Sequence, residues 1–320
     1  MVALKLQELS RSTATVLDRA GFSTAEMKGF PEKSFDIIAR RDALLLVIKL
    51  LTTRDEARRE WASEMRVLSK VLDASPLMVV ASSGPSSSLR DGVLYVKYGV
   101  PVISFNTLFD HLIDGIPPMV YHSAGGHYVK MDHEAIRRRR EELRMSLGNL
   151  ADSIGVTRKA VQMYEDGMGA DIEVALRVES LLGIELIKPL DPFSKGEGIQ
   201  AIRDEQDELS EVQKRMIDRL GSIGIEMIPT SRCPFEALAR GKEDVLLASL
   251  PVSRSEVASR GQMMSEISRV VERDSFIMID GSINRPNVGG TPVIRYSEIT
   301  GPVDMDTVLA LIRERGRGRR

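Results

Sequence analysis

The stretch SFDIIARRDALLLVIKLL, residues 34–51, puts an acid, Asp36, at the head of one candidate strand and a lysine, Lys49, inside the next. Both stand among apolar residues, where a charge is costly to bury unless it is paired or binds something. An acid on one strand, followed by acid-x-Lys on its neighbour, is a layout for metal-assisted phosphodiester hydrolysis. Two carboxylates hold a Mg²⁺ that generates the attacking water. The lysine helps to place that water and offsets charge in the transition state. Asp36 and Lys49 supply the first acid and the lysine, and Glu26 or Glu8 is a further candidate ligand. The second acid, two residues before the lysine, is replaced by Val47. One carboxylate makes a poor Mg²⁺ site, so the simpler reading is an ion pair between Asp36 and Lys49.

This layout resembles the core of the restriction-endonuclease and junction-resolvase superfamily. The resemblance implies that fold with its metal site dismantled, leaving Asp36 and Lys49 as remnants. Other candidate chemistry is weaker. His111, His122, His127 and His133 lack zinc-like spacing and have one cysteine to join them, so they read as scattered surface histidines. ASSGPSSS (81–88) lacks the Gly-Lys-Ser/Thr ending of a phosphate loop. Cys233 has no evident activating base and reads as a small, partly buried residue. NRPNVGG (284–290) reads as a polar turn. No cofactor and no metal are expected.

The elements that must position these residues alternate. LKLQELSRSTATVLDRAG is an amphipathic helix stopped by Gly21. The two strands above, a helix over 54–74, further short strands and a helix near 106–114 point to a mixed sheet across residues 1–122. HSAGGHYVK (122–130) reads as a hairpin turning at Gly125-Gly126, and 132–188 as wholly helical. PLDPFSKGEG (189–198) reads as a linker. Residues 195–320 return to α/β and end in the basic tail RERGRGRR, expected to be disordered. The expected domains are therefore 1–122, 123–190 and 195–320.

The two α/β segments resemble each other. At an offset of 200, Leu9, Ser10, Asp18, Arg19, Gly21, Glu26, Met27, Phe35, Ala39 and Arg40 all recur, ten identities in 32 positions. Average composition would give roughly two. GVPVIS (99–104) also matches GTPVIR (290–295). One fold used twice is expected, with Gly21 on Gly221 and Phe35 on Phe235; the pair could form a pseudo-symmetric unit. In the second copy the positions of Asp36, Val47 and Lys49 hold Glu236, Leu247 and Ser249.

The middle carries the densest signal. Ser146 can cap a helix that presents Leu147, Leu150, Ala151 and Ile154 inward and stops at Gly155. Thr157 caps the next helix, 158–165, which buries Val161 and Tyr164, and IEVALRVESLLG closes the core. A turn at Gly155-Val156 joins the two central helices. Over roughly 55 residues this resembles the Cro and phage-repressor helix-turn-helix family. The matching positions are Leu143-Arg144, Ser146, Leu150-Ala151, Ile154 to Thr157, Val161, Tyr164-Glu165, Gly167, Leu176 and Leu181 to Gly183. The resemblance implies duplex DNA binding by dimers, with the third helix in the major groove. It places Arg158 and Lys159 where base edges are read and Gln162 one turn on, with Thr157 at the helix start. The family's Gln after the capping Ser is here Leu147, so phosphate anchoring must come from backbone amides or Arg144. Of the four arginines at 137–140 only some can face DNA, and Glu141 and Glu142 partly neutralise them.

The whole order also resembles a family of archaeal helix-turn-helix transcriptional regulators of this length. That implies transcription control and no enzyme activity. The other readings are a structure-specific nuclease targeted by the helix-turn-helix, and a bridging factor contacting the transcription machinery.

Composition fits. The 320 residues are 42% apolar and 28% charged, with net charge −2, so any DNA affinity must come from a local patch. The longest apolar run is far too short for a bilayer, no secretory signal is visible in MVALKLQELSRS, and a single cysteine suits the cytoplasm.

Overall fold

The computed structural model describes residues 2–27, 33–81, 89–194, 210–230, 232–241, 244–250, 254–281 and 285–316. Most of the Ser/Gly/Pro loop, the last four residues of the expected linker and the last four of the basic tail lie outside them. Helix α1 (Val2–Arg19) leads to strands β1 (Ser23–Glu26), β2 (Ile37–Arg41) and β3 (Leu44–Leu51). Helix α2 (Arg59–Leu72), β4 (Ser75–Val80), β5 (Val93–Lys97), β6 (Val100–Ser104) and α3 (Phe105–Phe109) follow. The hairpin β7 (Val120–Ser123) and β8 (Gly126–Met131) precedes α4 (His133–Glu142), α5 (Leu147–Ile154) and α6 (Arg158–Glu165). Then come β9 (Ala170–Asp171), α7 (Ile172–Leu182) and β10 (Ile187–Lys188). The C-terminal part holds α8 (Glu211–Ser222), β11 (Glu226–Pro229), β12 (Ala237–Arg240), β13 (Val245–Ser249) and α9 (Arg254–Val271). It ends with β14 (Ser275–Ile279), β15 (Asn287–Val288), β16 (Thr291–Arg295), α10 (Tyr296–Ile299) and α11 (Met305–Gly316).

These elements gather into two compact units, one of 1–9, 51–56 and 77–194, the other of 10–50, 57–76 and 195–320. In the second unit β1, β2 and β3 form an antiparallel meander. Seven of the eight β3 residues are buried, without the alternation of a half-exposed strand, as expected of a strand covered on both faces. The C-terminal sheet runs β11-β12-β13-β14-β16-β15. Phe276 and Met278 face a core made with α8, α10 and α11, whereas Ile277 and Ile279 face Val257 of α9. The period of two along β14 thus serves both sides of a three-layer α/β/α sandwich.

The meander β1-β2-β3 recurs as β11-β12-β13, with Arg40 paired to Ser23 and Arg240 to Glu226. In the first unit β4 lies parallel to β6, with β5 antiparallel beside β6. β14, β16 and β15 repeat those relations. Phe35 and Phe235 correspond, both buried just before their strands. Gly21 does not correspond to Gly221, which lies inside α8. Its counterpart is Gly224: both have positive φ, and the next amides, of Phe22 and Ile225, donate to Leu17 and Leu220. The helix and first strand therefore match at an offset of 203, and the connection to the second strand is three residues shorter in the second copy. A shift of three keeps the same helical face, so apolar periodicity did not distinguish the two registers.

Within the second unit the copies touch. Helix α9 packs on β1 and β2. Arg40 reaches its last turn, donating to the Val270 and Val271 carbonyls at 2.7 and 2.8 Å. Those carbonyls have no partner inside the helix, and a cation complements the negative end of its dipole. Arg240, the equivalent residue, instead meets Glu226 at 3.6 Å, so the pairing is not symmetric.

In the first unit the segment 132–188 is not wholly helical. β9 and β10 both pair with β8, which thereby underlies the helices. The described part of the expected linker is packed: Leu190 and Phe193 are buried, and the Leu190 amide donates to Pro118. Among the described residues no helix is long and apolar enough to cross a membrane.

Arg40→Ala should cost about 1.5–3 kcal/mol in denaturant unfolding, since it removes hydrogen bonds from a charged group to helix-end carbonyls. Arg240→Ala, removing an exposed pair, should cost about 0–1 kcal/mol.

Candidate functional site

The helix-turn-helix is built from local signals. Ser146 accepts from the Asn149 amide at the head of α5, and Thr157 from the Ala160 amide at the head of α6, both at 3.1 Å. Between them Gly155 takes φ +72°, a left-handed conformation that closes α5 without Cβ strain. Leu150, Ala151, Ile154, Val161, Tyr164, Val178 and Leu182 form the core, together with Val129 and Met131 of β8. Leu147 is half-buried against that core, which is why an apolar residue stands there.

Arg158, Lys159 and Gln162 are all exposed on α6, and their side chains make no hydrogen bond or ion pair among the described residues. Thr157, though exposed, is committed to its cap. Arg144 is exposed beyond the end of α4 with φ +55°, its amide donating to the Glu141 carbonyl.

The structure sorts the arginine run. Arg140 reaches the buried Glu165 carboxylate at 2.6 and 3.1 Å and also donates to the Met145 carbonyl. Arg137 contacts Glu165 and Asp166, and Arg139 donates to the Leu182 carbonyl and Glu142. Arg138 is exposed. Glu165, read in the sequence only as a matching position, thus ties α4 to α6 and sets where the exposed face of α6 points.

The remnant site is an ion cluster. Asp36 Oδ2 accepts from the Leu50 amide at 2.7 Å and lies 3.2 Å from Lys49 Nζ, while Oδ1 lies 3.2 Å from Lys33 Nζ. Lys49 also donates to the Lys33 carbonyl and lies 4.4 Å from the Trp61 ring centre. Burial pushes the Lys49 ammonium below its usual range, and Asp36 opposes that shift. Val47 is fully buried, Glu26 accepts from Ser10, and Glu8 is exposed on α1. These residues do not fit a Mg²⁺ site: there is one carboxylate, and both its oxygens face ammonium groups.

Family models match at two places, a PD-(D/E)XK superfamily domain over residues 6–118 and a helix-turn-helix over 136–188. Along nearly the whole chain there are archaeal relatives bearing the name "Putative HTH-type transcriptional regulatory protein". One from Archaeoglobus fulgidus is 32% identical, covering 96% of this chain and 97% of the relative. Another, from Halobacterium salinarum, is 34% identical, covering 96% and 97%, and one from Thermoplasma acidophilum is 33% identical, covering 97% of each. The chain belongs to this archaeal regulator family.

The regulator's second copy keeps the acid and changes its partners. Glu236 accepts from the Leu250 amide at 2.8 Å and from Ser249 at 3.0 Å, the positions equivalent to Leu50 and Lys49. Its other oxygen is held by Arg260 of α9. α2 and α9 match at an offset of 199: each ends at an acid with φ 56°, Asp73 or Glu272, and Ser69 and Ser268 accept from equivalent amides. Arg260 therefore stands where Trp61 stands in the first copy. The cation has moved from strand to helix. Sequence reading missed Arg260 because its helix lies outside the matched segments.

Cys233 is buried and its thiol is pushed well above the usual range, chiefly by burial and then by Glu64, which disfavours the nucleophilic thiolate. Of the histidines, His133 is exposed at the start of α4 as expected, but His122 and His127 are register partners across β7 and β8, and the His111 ring lies 5.1 Å from that of Phe193, inclined by 60°.

Asp36→Ala should destabilise the protein by about 3–5 kcal/mol in denaturant unfolding, because Lys49 is left buried without its counter-charge. The double variant Asp36→Ala with Lys49→Met should recover much of that loss. A double variant no more stable than Asp36→Ala would show that the pair is not what holds Asp36 in place.

Proposed function

We propose that this regulator reads duplex DNA sequence-specifically through α6, as a homodimer in the cytoplasm, and that its α/β domains do not cleave DNA. The supporting observation is the exposed set Arg158, Lys159 and Gln162, free of internal partners on a helix whose other face is locked by Val161, Tyr164 and Glu165. Arginine suits the paired acceptors of guanine, and glutamine suits adenine. Arg144, exposed beside the start of α5, is the phosphate contact in this reading. Residues 123–190 are the DNA-binding piece. Residues 1–122 and 195–320 serve as scaffold and as surfaces for the second copy or the transcription machinery.

Arg158→Ala or Gln162→Ala should cost roughly 1–3 kcal/mol at the target site and relax specificity at one base pair. Arg144→Ala should weaken target and random DNA alike and flatten the salt dependence. Titrating both DNAs at several salt concentrations separates these outcomes. An unchanged ratio of target to random binding in Arg158→Ala would remove α6 as the reader.

Incubated with duplex or four-way-junction DNA and Mg²⁺ or Mn²⁺, the wild-type protein should leave the DNA intact. Metal-dependent cleavage that disappears in Asp36→Ala with Lys49→Met would contradict the silent-scaffold reading. Val47→Glu is the complementary probe, because it returns a carboxylate to the position that lacks one.

A further inference from the structure

The hairpin β7–β8 carries a feature that DNA reading does not use. Its strands pair Ser123 with Gly126 and His122 with His127 around the two-residue turn Ala124-Gly125. Counting outward from such a turn, the first pair is hydrogen-bonded and the next is not, and non-hydrogen-bonded partners hold their side chains closer together. The two imidazole rings stand 5.1 Å apart between centres, inclined by 55°. Neither ring makes a hydrogen bond to another described residue, and Nε2 of His127 is buried without a partner. A buried polar atom left unpaired is costly, and such atoms in native proteins call for a partner.

A transition-metal ion is a partner of the right chemistry. With metal–nitrogen bonds of about 2.0–2.1 Å, two imidazoles hold their ring centres about 5.2 Å apart on a tetrahedral ion and about 4.5 Å apart on one with right-angle coordination. The observed separation falls within that span. Imidazole selects zinc, nickel or copper over magnesium and calcium, which prefer oxygen. The surroundings are aromatic: Tyr95 lies 5.2 Å from His122 and 6.4 Å from His127, with Arg54 over the far-reaching Tyr95 ring at 5.5 Å. No third His, Cys, Asp or Glu joins them into a cluster among the described residues, so water would complete the coordination.

We propose that His122 and His127 form a two-histidine site for a divalent transition-metal ion. The position gives the site a consequence. β8 runs on from His127 into Val129 and Met131 of the helix-turn-helix core, and Asp132 then caps α4. An ion held across the hairpin fastens the strand on which the DNA-binding helices rest.

The test uses the full chain, freed of any polyhistidine tag, titrated with Ni²⁺ and separately with Mg²⁺ by calorimetry, with thermal unfolding in parallel. The expected result is one Ni²⁺ per chain, no Mg²⁺ binding at this site, and a Tm that rises with Ni²⁺ concentration and returns on chelation. His122→Gln and His127→Gln should each weaken Ni²⁺ binding by at least about tenfold, a loss of about 1.4 kcal/mol, and abolish the Tm rise. His133→Gln, changing an exposed histidine at the start of α4, should leave both intact. Circular dichroism of each variant reports folding. Absent Ni²⁺ binding in the wild type, or binding unchanged in both folded hairpin variants, would overturn the proposal.

Discussion

A carboxylate taken out of water must be met by donors, and this constraint shapes the chain at three places. In each α/β copy an acid at the head of the second strand accepts from the backbone amide fourteen residues on, Leu50 for Asp36 and Leu250 for Glu236. Each acid thereby staples two strands and must then be neutralised. One copy does so with Lys33 and Lys49, the other with Arg260. In the helix-turn-helix the buried Glu165 plays the same part for Arg137 and Arg140. Removing one partner of such a set strands the other, which is far costlier than losing a surface pair.

The same constraint explains how a nuclease-like core can persist without nuclease geometry. A metal site needs carboxylates with oxygens to spare. With Val47 packed in the strand interior, the remaining acid is worth more to the protein as a clamp than as a lone ligand. In the second copy a serine stands at the strand lysine's position and a helix arginine meets the same carboxylate. In both copies the clamp bridges neighbouring strands of the meander, so it depends on that strand order. Arg158, Lys159 and Gln162 on α6, by contrast, are exposed and carry no such structural duty, which is what suits them to the proposed DNA reading.

What was legible in the sequence follows from the range of each interaction. The helix-turn-helix was legible because caps at Ser146 and Thr157, the glycine at 155 and the apolar spacing all act within a few residues. The Asp36–Lys49 pair was legible because a charge in an apolar strand demands an explanation. The repeat was legible through Phe35, Ala39 and Arg40, yet the helix register was misplaced by three, since a helix presents nearly the same face after that shift. The clamping roles of Arg260 and Glu165 were not legible, because their partners are set by packing rather than by spacing. The histidine pair lay between these cases. The hairpin was expected, but only its exact turn brings His122 opposite His127, and a turn one residue longer would have sent them to different faces.

The central claim is that the regulator's chemistry is recognition by α6, carried on α/β copies whose acids are structural. Genome-wide mapping of DNA bound by the wild-type chain, read for both sequence motif and strand ends, tests it most directly. The account predicts a shared motif of two related half-sites, lost in Arg158→Ala, with no enrichment of breaks at bound positions. Bound DNA with no common motif, or with breaks concentrated where the protein sits, would contradict it.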